Sequence, residues 1–178
     1  MVILITGASH TGKTLLSQRL IERTHFMCLS IDNLKMGLIR SGKTPLTPYD
    51  DDKLTPYLWS IVREIVKTSI ENRQNLIVEG CYIPFDWEKD FSPEYLSEIR
   101  YVCLVMSADY IKTHFGDIRN NASAAECRLD DSDCTEDFLL SENAMFLDGC
   151  KSHGCRVYEI TDSYDTDRIA DFVLADLA

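Results

Sequence analysis

Gly7-Ala8-Ser9-His10-Thr11-Gly12-Lys13-Thr14 is the stretch that decides the fold, because it fits G-x-x-x-x-G-K-[ST] without a mismatch. An apolar run, Val2 to Ile5, precedes it, and an amphipathic segment starting at Lys13 follows at once. The loop therefore joins a strand to a helix. Gly7 and Gly12 permit backbone angles that turn successive N–H groups inward, which makes a concave nest at a helix N-terminus that attracts phosphate oxygens. Ala8, Ser9, His10 and Thr11 complete that nest. Lys13 can reach β- and γ-phosphates, and the Thr14 hydroxyl can ligate Mg²⁺.

Outward from the loop, short β-branched runs alternate with longer amphipathic stretches, the pattern of a parallel sheet wrapped by helices. Strands are expected at Val2 to Thr6, Phe26 to Ile31, Asn75 to Glu79, Tyr101 to Met106 and Arg156 to Thr161. Five such strands give an α/β fold of three layers over residues 1–178, one domain. Leu54, Leu58, Ile61, Val62, Ile65, Val66 and Ile70 form the strongest helical stripe, whose start is open between Thr47-Pro48 and Thr55-Pro56. Ser92, Ser107, Thr135 and Asp165 or Thr166 are expected caps, Ser123-x-x-Glu126 a capping box, and Gly154 a helix stop.

Composition narrows the partners. The 178 residues carry 18 Lys and Arg against 29 Asp and Glu, a formal net charge of −11. That field disfavours nucleic acid and anionic lipid surfaces. Apolar runs fall far short of the roughly 20 residues that span a bilayer, and no signal peptide is visible, so the expected setting is cytoplasmic, with no membrane partner. Seven cysteines without a C-x-x-C pair fit reduced thiols better than a disulfide frame, and the spacing of Cys127, Cys134, Cys150, His153 and Cys155 matches no common zinc pattern.

Geometry points to an acceptor. From Lys13 the helix travels about 18 Å away and the second strand returns about 20 Å, so Asp32 arrives at the edge where the phosphates lie. In a doubly wound sheet, ligands bind outside the carboxyl ends of the strands, where Glu79 also emerges. A carboxylate at Asp32 suits a group that orients a hydroxyl and takes its proton, or one that caps the helix Asn33 to Arg40. Lys35 and Arg40, on that helix, could bind an anionic acceptor.

The loop resembles those of the P-loop NTPase superfamily. No N-K-x-D or D-x-x-G motif argues for a GTPase. The element order is similar to the small-molecule and nucleotide kinase branch, which includes shikimate, gluconate and 2-phosphoglycerate kinases, zeta toxins and adenylate kinases. The resemblance implies ATP and Mg²⁺ as cofactors, and an acidic residue at the end of the second strand that touches the acceptor, the place that Asp32 takes nineteen residues after Lys13. It implies that Glu79 assists the metal beside Thr14 and that Gly80 lets substrate approach. Cys81, Tyr82 and Trp87 lie beyond and could line the acceptor pocket, though aromatic residues after a strand are more often packing. It further implies a helical lid over about 107–134, with Arg119 or Arg128 closing on the transferred group, and an adenine rest at Asp162, Ser163 and Tyr164. The Asp-Gly-Pro-Arg run of adenylate kinases is absent after the third strand. The expected function is phosphoryl transfer from Mg-ATP to a small-molecule hydroxyl by a monomer or homodimer. The alternatives are a nucleoside monophosphate kinase and a non-catalytic ATP-binding regulatory module.

Overall fold

Every residue of strand β1 (Val2–Gly7) is buried, which is what a central parallel strand covered on both faces requires. The computed structural model describes residues 1–121 and 134–175. Alternate side chains of β1 feed two cores. Val2 and Leu4 join one cluster, and Ile3 and Ile5 the other.

The remaining elements follow in the expected α/β order. They are α1 (Lys13–Thr24), β2 (Met27–Ser30), α2 (Ile31–Arg40), α3 (Asp51–Glu71), β3 (Leu76–Glu79), a 3-10 turn at Trp87–Asp90, α4 (Pro93–Leu96), β4 (Ile99–Met106), α5 (Ala108–Asn120), α6 (Glu136–His153), β5 (Val157–Ile160) and α7 (Thr166–Leu174). The five strands are parallel in the order β2-β3-β1-β4-β5. Leu16 and Leu20 of α1, Ile111 of α5 and Ile169 and Val173 of α7 cover one face. Leu54, Leu58, Val62 and Val66 of α3 cover the other, the stripe read from the sequence. Helix α6 serves both, with Leu139 in one cluster and Phe146 and Cys150 in the other.

Register sets the site. Glu79 is level with Ile5 on one side and Ser30 on the other, so β2 and β3 end together, two residues short of the end of β1, and the segments after them share one edge.

Several caps form as expected. The Ser107 hydroxyl accepts from the Tyr110 N–H, Thr135 from the Phe138 N–H, and Asp165 from the Asp167 and Arg168 N–H groups. Gly154 ends α6 in the left-handed region at φ 68°.

Other local readings are corrected. Helix α2 starts at Ile31 with Ser30 as its N-cap, so Asp32 sits in the first turn and does not cap Asn33 to Arg40. A carboxylate there still complements the helix dipole. Helix α3 starts at Asp51, at neither threonine-proline pair. The Asp50 carboxylate instead accepts from both the N–H and hydroxyl of Thr47, at 2.9 and 2.7 Å, closing a turn ahead of the helix. Pro56 lies inside α3. Ser92 donates to the Glu94 carboxylate at 2.5 Å and makes no side-chain cap. The first half of the expected lid is helix α5, with Tyr110 and Ile111 near its start buried and Arg119 exposed near its end. Arg128, Cys127 and the Ser123 to Glu126 box lie outside the described residues.

Candidate functional site

The loop after β1 has the shape its glycines imply. Gly7 has φ 140°, and a Cβ there would lie 2.1 Å from the Leu104 carbonyl oxygen, so only glycine lets the chain leave β1 against β4. Gly12 has φ 77°, and a Cβ there would lie 2.2 Å from the Tyr164 hydroxyl oxygen. The Tyr164 hydroxyl donates to the Gly12 carbonyl at 2.8 Å. Burial holds the Tyr164 phenol above its ordinary range, keeping it a neutral donor. The segment marked in the sequence for the adenine thus braces the phosphate loop from β5. Thr11 closes the loop internally, donating to the Ala8 carbonyl at 2.7 Å.

Lys13 opens α1 and folds back over the loop. Its Nζ donates to the Gly7 and Ala8 carbonyls at 3.1 and 2.7 Å. Thr14, half-buried, is the next residue of the same first turn.

Glu142, absent from the sequence reading, belongs to this site. Its carboxylate, carried by α6, accepts from the Ser9 N–H at 2.8 Å, and the Ser9 hydroxyl lies 3.4 Å from its other oxygen. The neighbouring Asn143 fixes that placement. Buried Asn143 accepts from the Met106 N–H at 2.7 Å and donates to the Leu139 carbonyl at 2.8 Å, tying α6 to the end of β4. Burial raises the Glu142 carboxyl above its ordinary range, against the opposing pull of the Ser9 hydrogen bonds and Lys13. No local motif marks Glu142, since the only signal is a carboxylate 133 residues from the loop it meets.

Across the edge, α2, α3 and the segment after β3 assemble a second group. Lys35 Nζ pairs with Asp32 at 2.7 Å and donates to the Tyr82 hydroxyl at 2.8 Å, and that hydroxyl donates to Asp51 at 2.7 Å. Lys35 also lies over the Tyr82 ring, 4.9 Å from its centroid. The Lys35 side chain is 13% exposed and that of Asp32 43%, so the carboxylate faces the open side while the ammonium is held beneath it. Burial, helped by the nearby Cys81 and Asp51, raises the Tyr82 phenol well above its ordinary range. The Cys81 thiol feels charges from both groups, Lys13 and Glu142 in one and Asp32 and Lys35 in the other. It is pushed up to about 11 by burial, with Lys13 opposing and Asp32 adding to the rise.

The remaining expected residues divide. Glu79 is buried at the end of β3, and Cys28 feels its charge. The Gly80 N–H donates to the Ile5 carbonyl at 3.1 Å. Arg40 and Arg119 are exposed at the ends of α2 and α5. Trp87 stacks on Tyr101 with ring centroids 5.4 Å apart, inside the core cluster, so it is a packing residue.

No family model and no curated protein matches the sequence. Solved structures do. The fold is that of the P-loop kinases. The chain is similar to a sugar kinase from Janibacter sp. HTCC2649, with a TM-score of 0.61 and 14% identity over 99% of this chain and 93% of that one. It is similar to deoxyadenosine kinase from M. mycoides, with a TM-score of 0.56 and 13% identity over 99% and 98%. Against shikimate kinase from Aquifex aeolicus the TM-score is 0.51, with 13% identity over 99% and 97%. At these identities the likeness is one of fold, and the P-loop kinase architecture extends over essentially the whole chain.

Proposed function

We propose that this chain is a kinase that transfers the γ-phosphoryl group of ATP to a hydroxyl of a small molecule. One observation carries the reading: an intact phosphate nest with Lys13 at its mouth stands across one sheet edge from Asp32, an accessible carboxylate held in place by Lys35. Gly7 to Thr14 bind the donor phosphates, and Lys13 balances the charge that develops on the transferred group. Asp32 accepts the acceptor's proton as its oxygen forms the bond to phosphorus and the bond to the ADP oxygen breaks. The exposed Arg119, and Arg128 of the same expected lid, are the cations proposed to cover the transferred group.

Mg²⁺ fits the donor set. The Thr14 hydroxyl and the Glu79 carboxylate are hard oxygen donors of the kind it takes alongside phosphate oxygens. When bound, the ion neutralises charge on the donor phosphates.

A neutral hydroxyl acceptor is favoured over a nucleoside monophosphate. On the acceptor side Lys35 is already paired with Asp32 and bonded to Tyr82, and Asp51 adds a further negative charge. A phosphate arriving there would meet carboxylates before a cation. No helix among the described residues is long and apolar enough to cross a membrane.

The test is ATP consumption across a panel of sugars, polyols, acids, nucleosides and nucleotides, run beside Asp32→Asn. The expected outcome is turnover with one hydroxyl compound, and a variant that still binds ATP while losing transfer. ADP formed from AMP would indicate the nucleotide-kinase reading. Binding of ATP with no phosphorylated product from any acceptor would indicate the regulatory module.

A further inference from the structure

We infer that Glu142 is an internal competitor for the phosphate nest, a carboxylate that holds the Ser9 amide until a phosphate group takes its place. The inference rests on the P-loop being the donor site. A P-loop binds phosphate through its inward backbone N–H groups and its lysine. Here one of those N–H groups already points at a carboxylate oxygen 2.8 Å away, and the Ser9 hydroxyl lies 3.4 Å from the other oxygen of the same group.

The two anions cannot share the amide. A single N–H makes one strong hydrogen bond, and two negative charges at that distance repel. Binding of a donor phosphate at Ser9 therefore requires the Glu142 side chain to leave, and nucleotide affinity is lowered by whatever holds it there. The charged groups facing it are Lys13, which attracts it, and Asp51, which repels it, with the Cys81 thiol close by. Strand β4 carries its one charged residue, Arg100, near its opposite end, and α5 turns Tyr110 and Ile111 into the core.

Helix α6 makes the contact a link between parts of the site. Asn143, the next residue, is pinned to β4, so release of Glu142 proceeds by side-chain rotation or by a shift of the whole helix start.

Calorimetric titration of the wild-type chain, Glu142→Gln and Glu142→Ala tests this with two probes, Mg-ATP and inorganic tripolyphosphate. Both variants are expected to bind both probes about tenfold more tightly, the worth of losing one charge-assisted hydrogen bond. The gap should narrow as pH falls and the wild-type carboxyl gains a proton. Equal or weaker binding by the two variants would overturn the inference and make Glu142 a support of the loop. Tighter binding of tripolyphosphate by the variants, with no binding of ATP to any of the three, would keep Glu142 as the competitor and remove the kinase reading. Failure of every protein to bind either probe would remove both.

Discussion

At the scale of single residues, Lys13 and Glu142 divide the chemistry of the loop. Lys13 is held over the Gly7 and Ala8 carbonyls, a position from which its ammonium needs only rotamer changes to meet phosphate oxygens. Lys13→Ala should lower turnover by about 10²–10³-fold or more, the scale on which a single preorganised charge-stabilising group acts in a water-excluded site. Steady-state ATP consumption checks this, with circular dichroism confirming the fold. Glu142 carries a stability consequence of definite sign. Its folded carboxyl titrates above the unfolded value, so ionisation is penalised in the native state: the group contributes stability below the unfolded value, which is lost as pH rises through the folded one. Glu142→Gln should therefore melt higher than wild type at pH 8, with the difference closing below about pH 4.5. A variant that melts lower than wild type at pH 8 would show that the Ser9 hydrogen bond outweighs the burial cost.

At the scale of elements, helix starts and the brace across them matter most. Asp165 satisfies two orphan N–H groups at the start of α7, which packs Ile169 and Val173 into the same cluster as Leu16 and Leu20 of α1. Asp165→Ala should cost about 1 kcal/mol of unfolding free energy, measured by urea titration, because a lost N-cap exposes unsatisfied amides. Salt bridges between the same two helices, Arg19 to Asp167 at 2.6 Å and Arg23 to Asp171 at 2.7 Å, are exposed and add little. Tyr164, in the loop between β5 and α7, connects this packing to the site. Tyr164→Phe removes the hydroxyl that donates to Gly12 and should weaken Mg-ATP binding by about five- to tenfold, the worth of one hydrogen bond of about 1 kcal/mol. A calorimetric titration beside wild type reads it.

At the scale of the whole molecule, a parallel sheet with a core on each face holds the two halves of the site at one edge. Leu58 is fully buried among Leu54, Val62 and the β1 side chains Val2 and Leu4, and Leu58→Ala should cost about 2–5 kcal/mol in guanidinium unfolding through lost burial and a cavity. The net charge of −11 does not conflict with the proposed polyanionic substrate, because the attraction is local, at the start of α1 and at Lys13.

Much of this was legible in the residues themselves. A nest needs glycines at fixed offsets, a cap needs a hydroxyl or carboxylate before a helix, and a central strand needs an unbroken apolar run. Each is a local demand written in adjacent residues, so the phosphate loop and the five strands in their chain order could be read directly from the residues. The start of α3 was less legible, because two threonine-proline pairs competed with Asp50, and hydrogen bonds from Thr47 settled it. By position Trp87 could be pocket or packing, and it is core, since only packing against Tyr101 decides which way an aromatic side chain turns. The tertiary structure alone decided that Glu142 meets Ser9 across 133 residues, that Tyr164 meets Gly12 across 152, and that Lys35 is spent on Asp32 and Tyr82. The long-range meetings leave no trace in periodicity or spacing, because they depend on where folded elements bring chain segments that have no local reason to know of one another.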